Sequence, residues 1–316
     1  METVKVGIIG AGNIANKHLD VIRDIDWIEA VGITSRTYDK ARQMADEYGI
    51  KVCADSVDTL LEEAKPDALM VLVSADQIYA VSSGIIPLGL PLFIEKPPGL
   101  TPDETKRLAE LAKEHFVRTM VGYNRRYYSV FHKGREIIHE HGDLLGVRVE
   151  GHERFWKLAD RLKDIVRSQW IYVNSTHTID LLRFFGGEPS IVSTLSRSHI
   201  EKNGDQFAAI MRLDTGAIGH YSAHWYSPGG WGVMLYGDGV TVEFKPLESG
   251  RWTDRRFNTY DIEPDEVDVR YKPGFYSQME AFGKMVRGGE LTWPGQDLAT
   301  SYLTMRLAQK IANNIQ

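Results

Sequence analysis

The chain has 316 residues, of which 43% are hydrophobic and 25% are charged, and its formal net charge is −6. This length exceeds a single domain of roughly 100–200 residues, so we expect two domains. The acidic balance lacks the cationic excess that neutralises a phosphate backbone, which argues against a nucleic-acid partner. No apolar run reaches the roughly 18 residues of a membrane helix, and Met1–Gly10 does not resemble a signal peptide. We therefore expect a cytoplasmic protein with a small-molecule partner.

Cysteine and histidine usage argues against a metal centre. The only cysteine is Cys53, which excludes an internal disulfide and a thiolate cluster. His220 and His224 lie in a segment that alternates as a strand does. Four residues along a strand span roughly 13 Å, which is too far for two ligands of one ion. We predict no bound metal.

The first third of the chain alternates strand-like and helix-like segments. Val4–Ile9 is a β-branched run typical of a strand buried on both faces, and a helical pattern follows from Ile14. The alternation continues with strands at Ile28–Thr34, Ala68–Val73, Leu92–Glu95 and Arg118–Gly122, and helices at Asp39–Tyr48, Ser56–Ala64, Ile78–Leu88 and Pro102–His115. This predicts an α/β fold that begins with a Rossmann domain, a doubly wound parallel sheet over residues 1–122.

The pattern changes after residue 122. Helices are predicted at Tyr127–His139 and from about Thr178, with a strand at Gly146–Glu153. From Ile191 onward, strand-like segments are separated by glycine turns and followed by two helices: the strands are Gln206–Leu213, Ala217–Trp225, Trp231–Tyr236 and Val240–Phe244, and the helices Tyr276–Val286 and Leu298–Ile315. We predict an α+β substrate domain over residues 123–316, built on an open, largely antiparallel sheet. Its uncovered face predicts a homodimer or homotetramer.

A glycine-rich turn follows the first strand. Gly10-Ala11-Gly12-Asn13-Ile14-Ala15 fits the pattern G-x-G-x-x-G/A, with alanine in the third position. Between a buried strand and a helix, Gly10 permits the tight turn and Gly12 lets the backbone approach a pyrophosphate. The helix N-terminus, which begins with Asn13 and Ile14, stabilises the negative charge. We therefore predict a dinucleotide cofactor.

The end of the second strand bears on the choice between NADP and NAD. Where an acidic residue would bind the ribose hydroxyls, the sequence has Thr34-Ser35-Arg36-Thr37. A carboxylate would repel a 2′-phosphate, whereas Ser35 can donate a hydrogen bond to it and Arg36 can form a charge-assisted pair. We predict NADP in preference to NAD. In the alternative, Arg36 is an ordinary exposed residue at a helix start and the cofactor is NAD.

Three ordered motifs resemble one enzyme family. They are Glu95-Lys96-Pro97-Pro98, Gly122-Tyr123-Asn124-Arg125-Arg126, and Asn174-Ser175-Thr176-His177-Thr178-Ile179-Asp180-Leu181-Leu182. Together they resemble the family of glucose-fructose oxidoreductase and inositol 2-dehydrogenase. The resemblance implies an N-terminal Rossmann domain and a C-terminal open sheet that often mediates oligomerisation. It also implies oxidation or reduction of a sugar, sugar acid, cyclic polyol or nucleotide-linked sugar.

The resemblance implies roles for individual residues. Lys96, with Glu95, would lie beside the cofactor, and its ammonium would hold the substrate oxygen and stabilise developing alkoxide charge. His177 would be the acid/base, because a histidine ordinarily titrates near pH 6.5, within reach of neutrality. Lys96 and His177 are thus the predicted catalytic residues. The predicted substrate-binding residues are Tyr123, Asn124, Arg125, Trp170, Asn174 and His177.

Two features leave alternatives open. The segment from Glu153 to Trp170 is rich in cations and tryptophan, and it is either a substrate-facing loop or an amphipathic helix with Leu158, Leu162 and Ile165 inward. The family also carries an aspartate four residues before the histidine, where this sequence has Val173. Valine cannot orient an imidazole.

Asp180 either supports His177 or lies on the helix surface. A sensor that binds dinucleotide and sugar without turnover stays open, as does an enzyme that oxidises its substrate transiently.

Overall fold

The computed structural model describes residues 3–313. Residues 1, 2 and 314–316 lie outside this description, and with them Met1 of the N-terminal segment and Ile315, the predicted end of the last helix. The described chain forms two compact units. The first contains the residues up to Asn124 together with Arg270–Tyr302, and the second contains Arg125–Val269 together with the residues from Leu303 onward. No helix within residues 3–313 is both long and apolar enough to cross a bilayer.

The first unit contains a six-stranded parallel sheet. Its strands are β1 (Val4–Ile9), β2 (Ile28–Thr34), β3 (Val52–Ala54), β4 (Ala68–Val71), β5 (Leu92–Ile94) and β6 (Thr119–Val121). Consecutive strands are connected by helices α1 (Asn13–Ile22), α2 (Tyr38–Tyr48), α3 (Val57–Ala64), α4 (Ala75–Ile85) and α5 (Pro102–Glu114). The strand order is β3-β2-β1-β4-β5-β6, and every pairing is parallel. The predicted Rossmann sheet is confirmed.

Local signals account for the start of α5. Thr101 accepts a hydrogen bond from the Glu104 backbone N–H at 3.2 Å, and Pro102 opens α5. The Glu104 carboxylate accepts a hydrogen bond from the Leu100 N–H, one residue before the cap, rather than from the N–H of Thr101 itself. The sequence analysis missed β3. Its three residues are too short for a periodic pattern, and their pairing with β2 makes them a strand.

The second unit contains an eight-stranded, mostly antiparallel sheet. It includes helices α6 (Ser129–His141), α7 (Asp164–Ser168) and α8 (Thr176–Gly186), and strands β7 (Leu144–Gly151), β8 (Pro189–Arg197), β9 (Gln206–Leu213), β10 (Ile218–His224), β11 (Trp231–Gly237), β12 (Val240–Phe244), β13 (Gly250–Thr253) and β14 (Thr259–Ile262). The order is β14-β13-β12-β11-β7-β10-β9-β8, and only the β7–β10 pairing is parallel. Helices α6 and α8 pack on this sheet. The predicted largely antiparallel sheet is confirmed.

The last part of the chain differs from the predicted division at residue 122. Helices α9 (Glu266–Arg270), α10 (Phe275–Val286) and α11 (Leu298–Ala312) follow the sheet, and residues 270–302 belong to the first unit. Helix α10 packs against α1, and the Val121 N–H donates to the carbonyl of Gln296 at 2.7 Å. These contacts join residues far apart in sequence, so the periodicity of the segment does not reveal them.

Candidate active site

The turn after β1 leaves room for a phosphate group. Gly10 has a φ of 113°, and a Cβ there would lie 2.5 Å from the carbonyl oxygen of Leu72, so only glycine fits this position. Gly12 immediately precedes α1, and a Cβ on it would meet no heavy atom within 4 Å. Asn13 and Ile14 form the first turn of the helix, where backbone N–H groups lack intrahelical partners. Open space in front of a helix N-terminus fits a pyrophosphate.

This turn forms one wall of a cleft of about 510 Å³ in the first unit. The cleft lies at the carboxyl ends of β1, β2 and β4. The strand order reverses between β1 and β4, and open α/β sheets bind ligands at such a reversal. Its size lies within the range of small-molecule and cofactor sites. The cleft therefore fits part of a dinucleotide that extends from the glycine turn.

Polar and cationic side chains line the cleft at the end of β2. Ser35 and Arg36, predicted to bind the cofactor, are both part of its wall, and Lys40 from the first turn of α2 adds a second cation. Asp55 also lines the cleft, and its carboxylate accepts a hydrogen bond from the Thr59 hydroxyl at 2.9 Å. The sequence analysis missed Lys40, although a cation one helical turn after Arg36 is a signal that could have found it.

Glu95 lies in the interior of the first unit beside the backbone of Lys96. Its carboxylate is hydrogen-bonded to the His18 Nε2 at 2.9 Å and accepts from the Lys96 N–H at 3.0 Å. Burial raises the pKa of Glu95, but the hydrogen bond and charge of His18, with the charges of Lys96 and Lys272, bring that pKa below its usual range. Glu95, which directly follows β5, thus links His18 on α1 to the backbone of Lys96. The Lys96 side chain is half-buried.

The three residues predicted to bind substrate after β6 have different surroundings. Tyr123 is buried in the apolar core of the first unit. Asn124 is also buried, and its amide donates to the carbonyl of Pro273 at 2.9 Å. Arg125 belongs to the second unit, where its guanidinium lies 4.5 Å from the centroid of the Trp231 ring. The observed contacts of Tyr123 and Asn124 are structural, and their substrate contacts stay a prediction.

His177 lies at the start of α8, directly after a π-helical turn over Ile171–Ser175. Turns of this kind are frequent at functional sites. The histidine is buried, and its ring centroid lies 6.0 Å from that of Trp231. Trp231 therefore contacts both His177 and Arg125 within the second unit. The sequence analysis identified Trp231 only as the start of a strand, and no motif marks it.

A buried carboxylate binds the residues just before His177. Glu153 follows β7 and is 5% exposed. It accepts hydrogen bonds from the Asn174 amide at 2.7 Å and from the Ser175 hydroxyl at 3.0 Å. Asn174, predicted to bind substrate, thus uses an amide N–H on Glu153 and has an amide oxygen as well. The sequence analysis placed Glu153 at the end of a predicted strand and gave it no role.

The segment from Glu153 to Trp170 is not an amphipathic helix. It forms single turns at Phe155–Lys157 and Ala159–Arg161, followed by the short helix α7. Leu158 and Ile165, which that interpretation placed inward, are 40% and 56% exposed. Instead, Phe155 and Trp170 are among the buried side chains of this segment, and their ring centroids lie 5.1 Å apart. The substrate contact of Trp170 stays a prediction.

Asp180 is not a helix-surface residue. It is 1% exposed and receives two hydrogen bonds from the Arg126 guanidinium, at 2.6 Å and 3.0 Å. The Thr304 hydroxyl also donates to it at 2.7 Å, and Arg183 lies 3.4 Å away. Burial raises the pKa of Asp180, but the charges and hydrogen bonds of these partners lower it below the usual range. The helix-surface interpretation is therefore wrong. The guanidinium of Arg126 is buried as well, and the Asp180 carboxylate balances its charge inside the protein.

His220 and His224 both lie on β10. Within residues 3–313, no three side chains of histidine, cysteine, aspartate or glutamate are grouped closely enough to hold a metal ion. The described side chains thus form no metal centre of that kind.

The parallel strand order, the glycine turn and its cleft define a dinucleotide-binding Rossmann domain. Residues 4–123 match the family model described as an oxidoreductase family with an NAD-binding Rossmann fold. Residues 134–243 match the model of the GFO/IDH/MocA C-terminal domain. The chain belongs to this GFO/IDH/MocA family of oxidoreductases, and the resemblance seen in its motifs is confirmed.

Several relatives are similar over most of their length. A myo-inositol 2-dehydrogenase from Thermotoga maritima is 26% identical over 312 residues, covering 91% of this chain and 89% of the relative. A scyllo-inositol 2-dehydrogenase (NAD(+)) from Bacillus subtilis is 24% identical and covers 91% and 87%, respectively. The solved structure of a levoglucosan dehydrogenase with NADH and levoglucosan gives a TM-score of 0.84 at 16% identity, over 99% of this chain and 97% of that one. At this identity, the structural similarity shows the fold.

Proposed function

We propose that the protein is a nicotinamide-dependent dehydrogenase or reductase that acts on a hydroxyl or keto carbon. Its substrate would be a sugar, sugar acid, cyclic polyol or nucleotide-linked sugar. The observation that carries this proposal is the glycine turn with its cleft of about 510 Å³ at the reversal of strand order. Membership of the oxidoreductase family supports it. The hydroxyl-rich compounds named for the relatives support the substrate class.

The proposed roles follow from the chemistry of each side chain. The nicotinamide, when bound, supplies or accepts hydride. Lys96 would hold the substrate oxygen through its ammonium and stabilise negative charge that develops there. His177 would exchange the hydroxyl proton, and Arg125 and Asn174 would bind further substrate oxygens.

Turnover of a substrate panel tests this function. Purified protein is incubated with NADP or NAD and a panel of sugars, sugar acids, inositols and nucleotide sugars, and the absorbance of the reduced cofactor is followed. We expect turnover for at least one compound, and we expect Lys96→Met to lower its kcat about 10²- to 10³-fold because an ammonium that stabilises developing charge is lost. Lys106→Met, on the exposed face of α5, is the matched control. Cofactor binding without turnover of any compound would instead favour a sensor or a transient oxidation.

We also propose that NADP is the preferred cofactor. Ser35, Arg36 and Lys40 support this choice, because they place a hydroxyl and two cations in the cleft at the end of β2. We expect Arg36→Ala to raise the KM for NADP about 10- to 100-fold, the equivalent of one hydrogen bond to a charged group. The KM for NAD should change little. Initial rates with both cofactors measure this, and an equal loss for both cofactors would refute a 2′-phosphate contact.

Self-association is the remaining part of the proposal. Leu195, Ile210 and Ile218 lie on paired strands of the second unit and are 69%, 56% and 52% exposed. Exposed apolar side chains on one sheet face support a homodimer or homotetramer.

A further inference from the structure

The turn before His177 is held from outside its own helix. Glu153 follows β7, whereas Asn174 and Ser175 belong to the π-helical turn that leads into α8. The carboxylate accepts one hydrogen bond from each of these neighbouring side chains, at 2.7 Å and 3.0 Å. Two bonds from one rigid acceptor to consecutive residues leave this turn few alternative geometries, and His177 follows two residues later.

Because Glu153 is buried, its carboxylate depends on these hydrogen bonds. A carboxylate that is 5% exposed has lost most of its hydration and is tolerated only where donors replace the water. The Asn174 amide and the Ser175 hydroxyl are such donors. Glu153 also lines a cavity of about 690 Å³ together with Trp231, whose ring packs against His177. The carboxylate therefore lies in the same part of the second unit as the imidazole.

Several charged or titratable groups around α8 have partners of their own. Asp180 on α8 is paired with Arg126 and Arg183, and Val173 supplies no carboxylate from the preceding turn. On β10, the Tyr221 hydroxyl is hydrogen-bonded to Thr178. Burial raises the pKa of that hydroxyl, and the charge of Glu153 acts in the same direction. The Trp231 ring contacts both Arg125 and His177, and the other charged or titratable groups lining the cavity are His152, Arg154, Lys245 and Glu248.

We propose that Glu153 is a positioning residue for His177. It fixes the turn that carries the imidazole, and its negative charge favours the protonated form. This inference rests on the proposed function in one respect, the role of His177 as the acid/base. Glu153 itself acts through Asn174 and Ser175.

The test compares Glu153→Gln with the wild-type protein by two measurements. Glutamine keeps the shape but removes the charge and one acceptor oxygen. We expect kcat to fall about 10²-fold, as for a misplaced catalytic group, with the KM for the cofactor unchanged. In an NMR titration, the pKa of His177 should fall by about one unit, and the acidic limb of kcat/KM should move to lower pH with it. The His177 signal is assigned among the ten histidines by its absence in His177→Asn.

Two further variants separate positioning from a general loss of structure. Glu150→Gln makes the same change on β7, where the carboxylate pairs with Lys245 and Arg148, and it should leave kcat and the His177 titration unchanged. Ser175→Ala removes one of the two hydrogen bonds to the Glu153 carboxylate without burying a new group. It replaces Glu153→Gln as the test variant if Glu153→Gln does not fold. Its effect should be in the same direction and smaller. Combined with Glu153→Gln, it should add little, because both changes break the same link.

The measurements distinguish failure of the positioning role from failure of the proposed function. A lower kcat with an unchanged His177 titration and pH profile would overturn the proposal, because a merely structural residue gives that pattern. So would an unchanged kcat in Glu153→Gln. If the wild-type protein turned over no compound of the panel, the proposed function would fail. The NMR titration would still support or refute the link between Glu153 and His177.

Discussion

Replacing His177 with asparagine is expected to lower kcat about 10²- to 10⁴-fold, the range of general acid–base catalysis. Asparagine can keep a hydrogen bond with the surroundings but cannot exchange a proton near neutral pH. The KM for the cofactor should stay nearly constant, since the cofactor contacts proposed here lie in the other unit of the chain. Steady-state kinetics with the substrate found in the panel measure both quantities.

The pH dependence distinguishes an acid/base role from a binding role. In the wild-type protein, the kcat/KM profile should contain a limb from His177, and this limb should vanish in His177→Asn. His139→Asn is the matched control, because His139 is an exposed residue near the end of α6. A variant that keeps both its kcat and the wild-type profile would rule out His177 as the acid/base.

Replacing Asp180 with alanine is expected to reduce the free energy of unfolding by about 3–5 kcal/mol, as when one partner of a buried ion pair is removed. The change leaves the buried Arg126 guanidinium without the carboxylate that accepts two of its hydrogen bonds. It also removes the acceptor of the Thr304 hydroxyl, which joins α11 to α8 within the second unit. Urea unfolding of the wild type and the variant measures the difference. Asp238→Ala, at an exposed pair with Arg255, should change it little.

The destabilisation by Asp180→Ala should depend on pH in a defined direction. The partners of Asp180 hold its pKa below the ordinary value of 3.8 despite burial. Because the pKa is lower in the folded state than in the unfolded state, the stabilisation is complete above about pH 4 and is lost as the pH falls through the folded-state value. The difference between wild type and variant should therefore shrink in acid. A difference that is constant from neutral to acidic pH would show that the lost charge is not its cause.

Arg125 and Arg126 are neighbours in the chain but have different partners. Arg126 is held inward by Asp180, and Arg125, the preceding residue, has its guanidinium over the Trp231 ring. The sequence analysis placed Arg125 at a substrate site and considered His177, not Arg126, as a partner for Asp180. The partner is 54 residues away in the chain. A spacing rule for helices could therefore not find it.

The amino-acid sequence alone was sufficient for the elements whose signals are local. The strand β2, the cap of α5 at Thr101 and the glycine turn at Gly10 and Gly12 follow from periodicity, turn chemistry and steric limits within a few residues. The family motif at Lys96 can likewise be read from a few consecutive residues. These features determine a Rossmann domain and its cofactor turn before any long-range contact is known.

Sheet register and long-range packing decided the rest. Trp231 pairs with Gly151 in the sheet, and this register brings the start of β11 to the end of β7, close to Glu153. The hydrogen bonds of Glu153 to Asn174 and Ser175, and the return of residues 270–302 to the first unit, also join distant segments. Local propensity carries no information on such pairs, because their free energy depends on burial and geometry that exist only after the chain has folded.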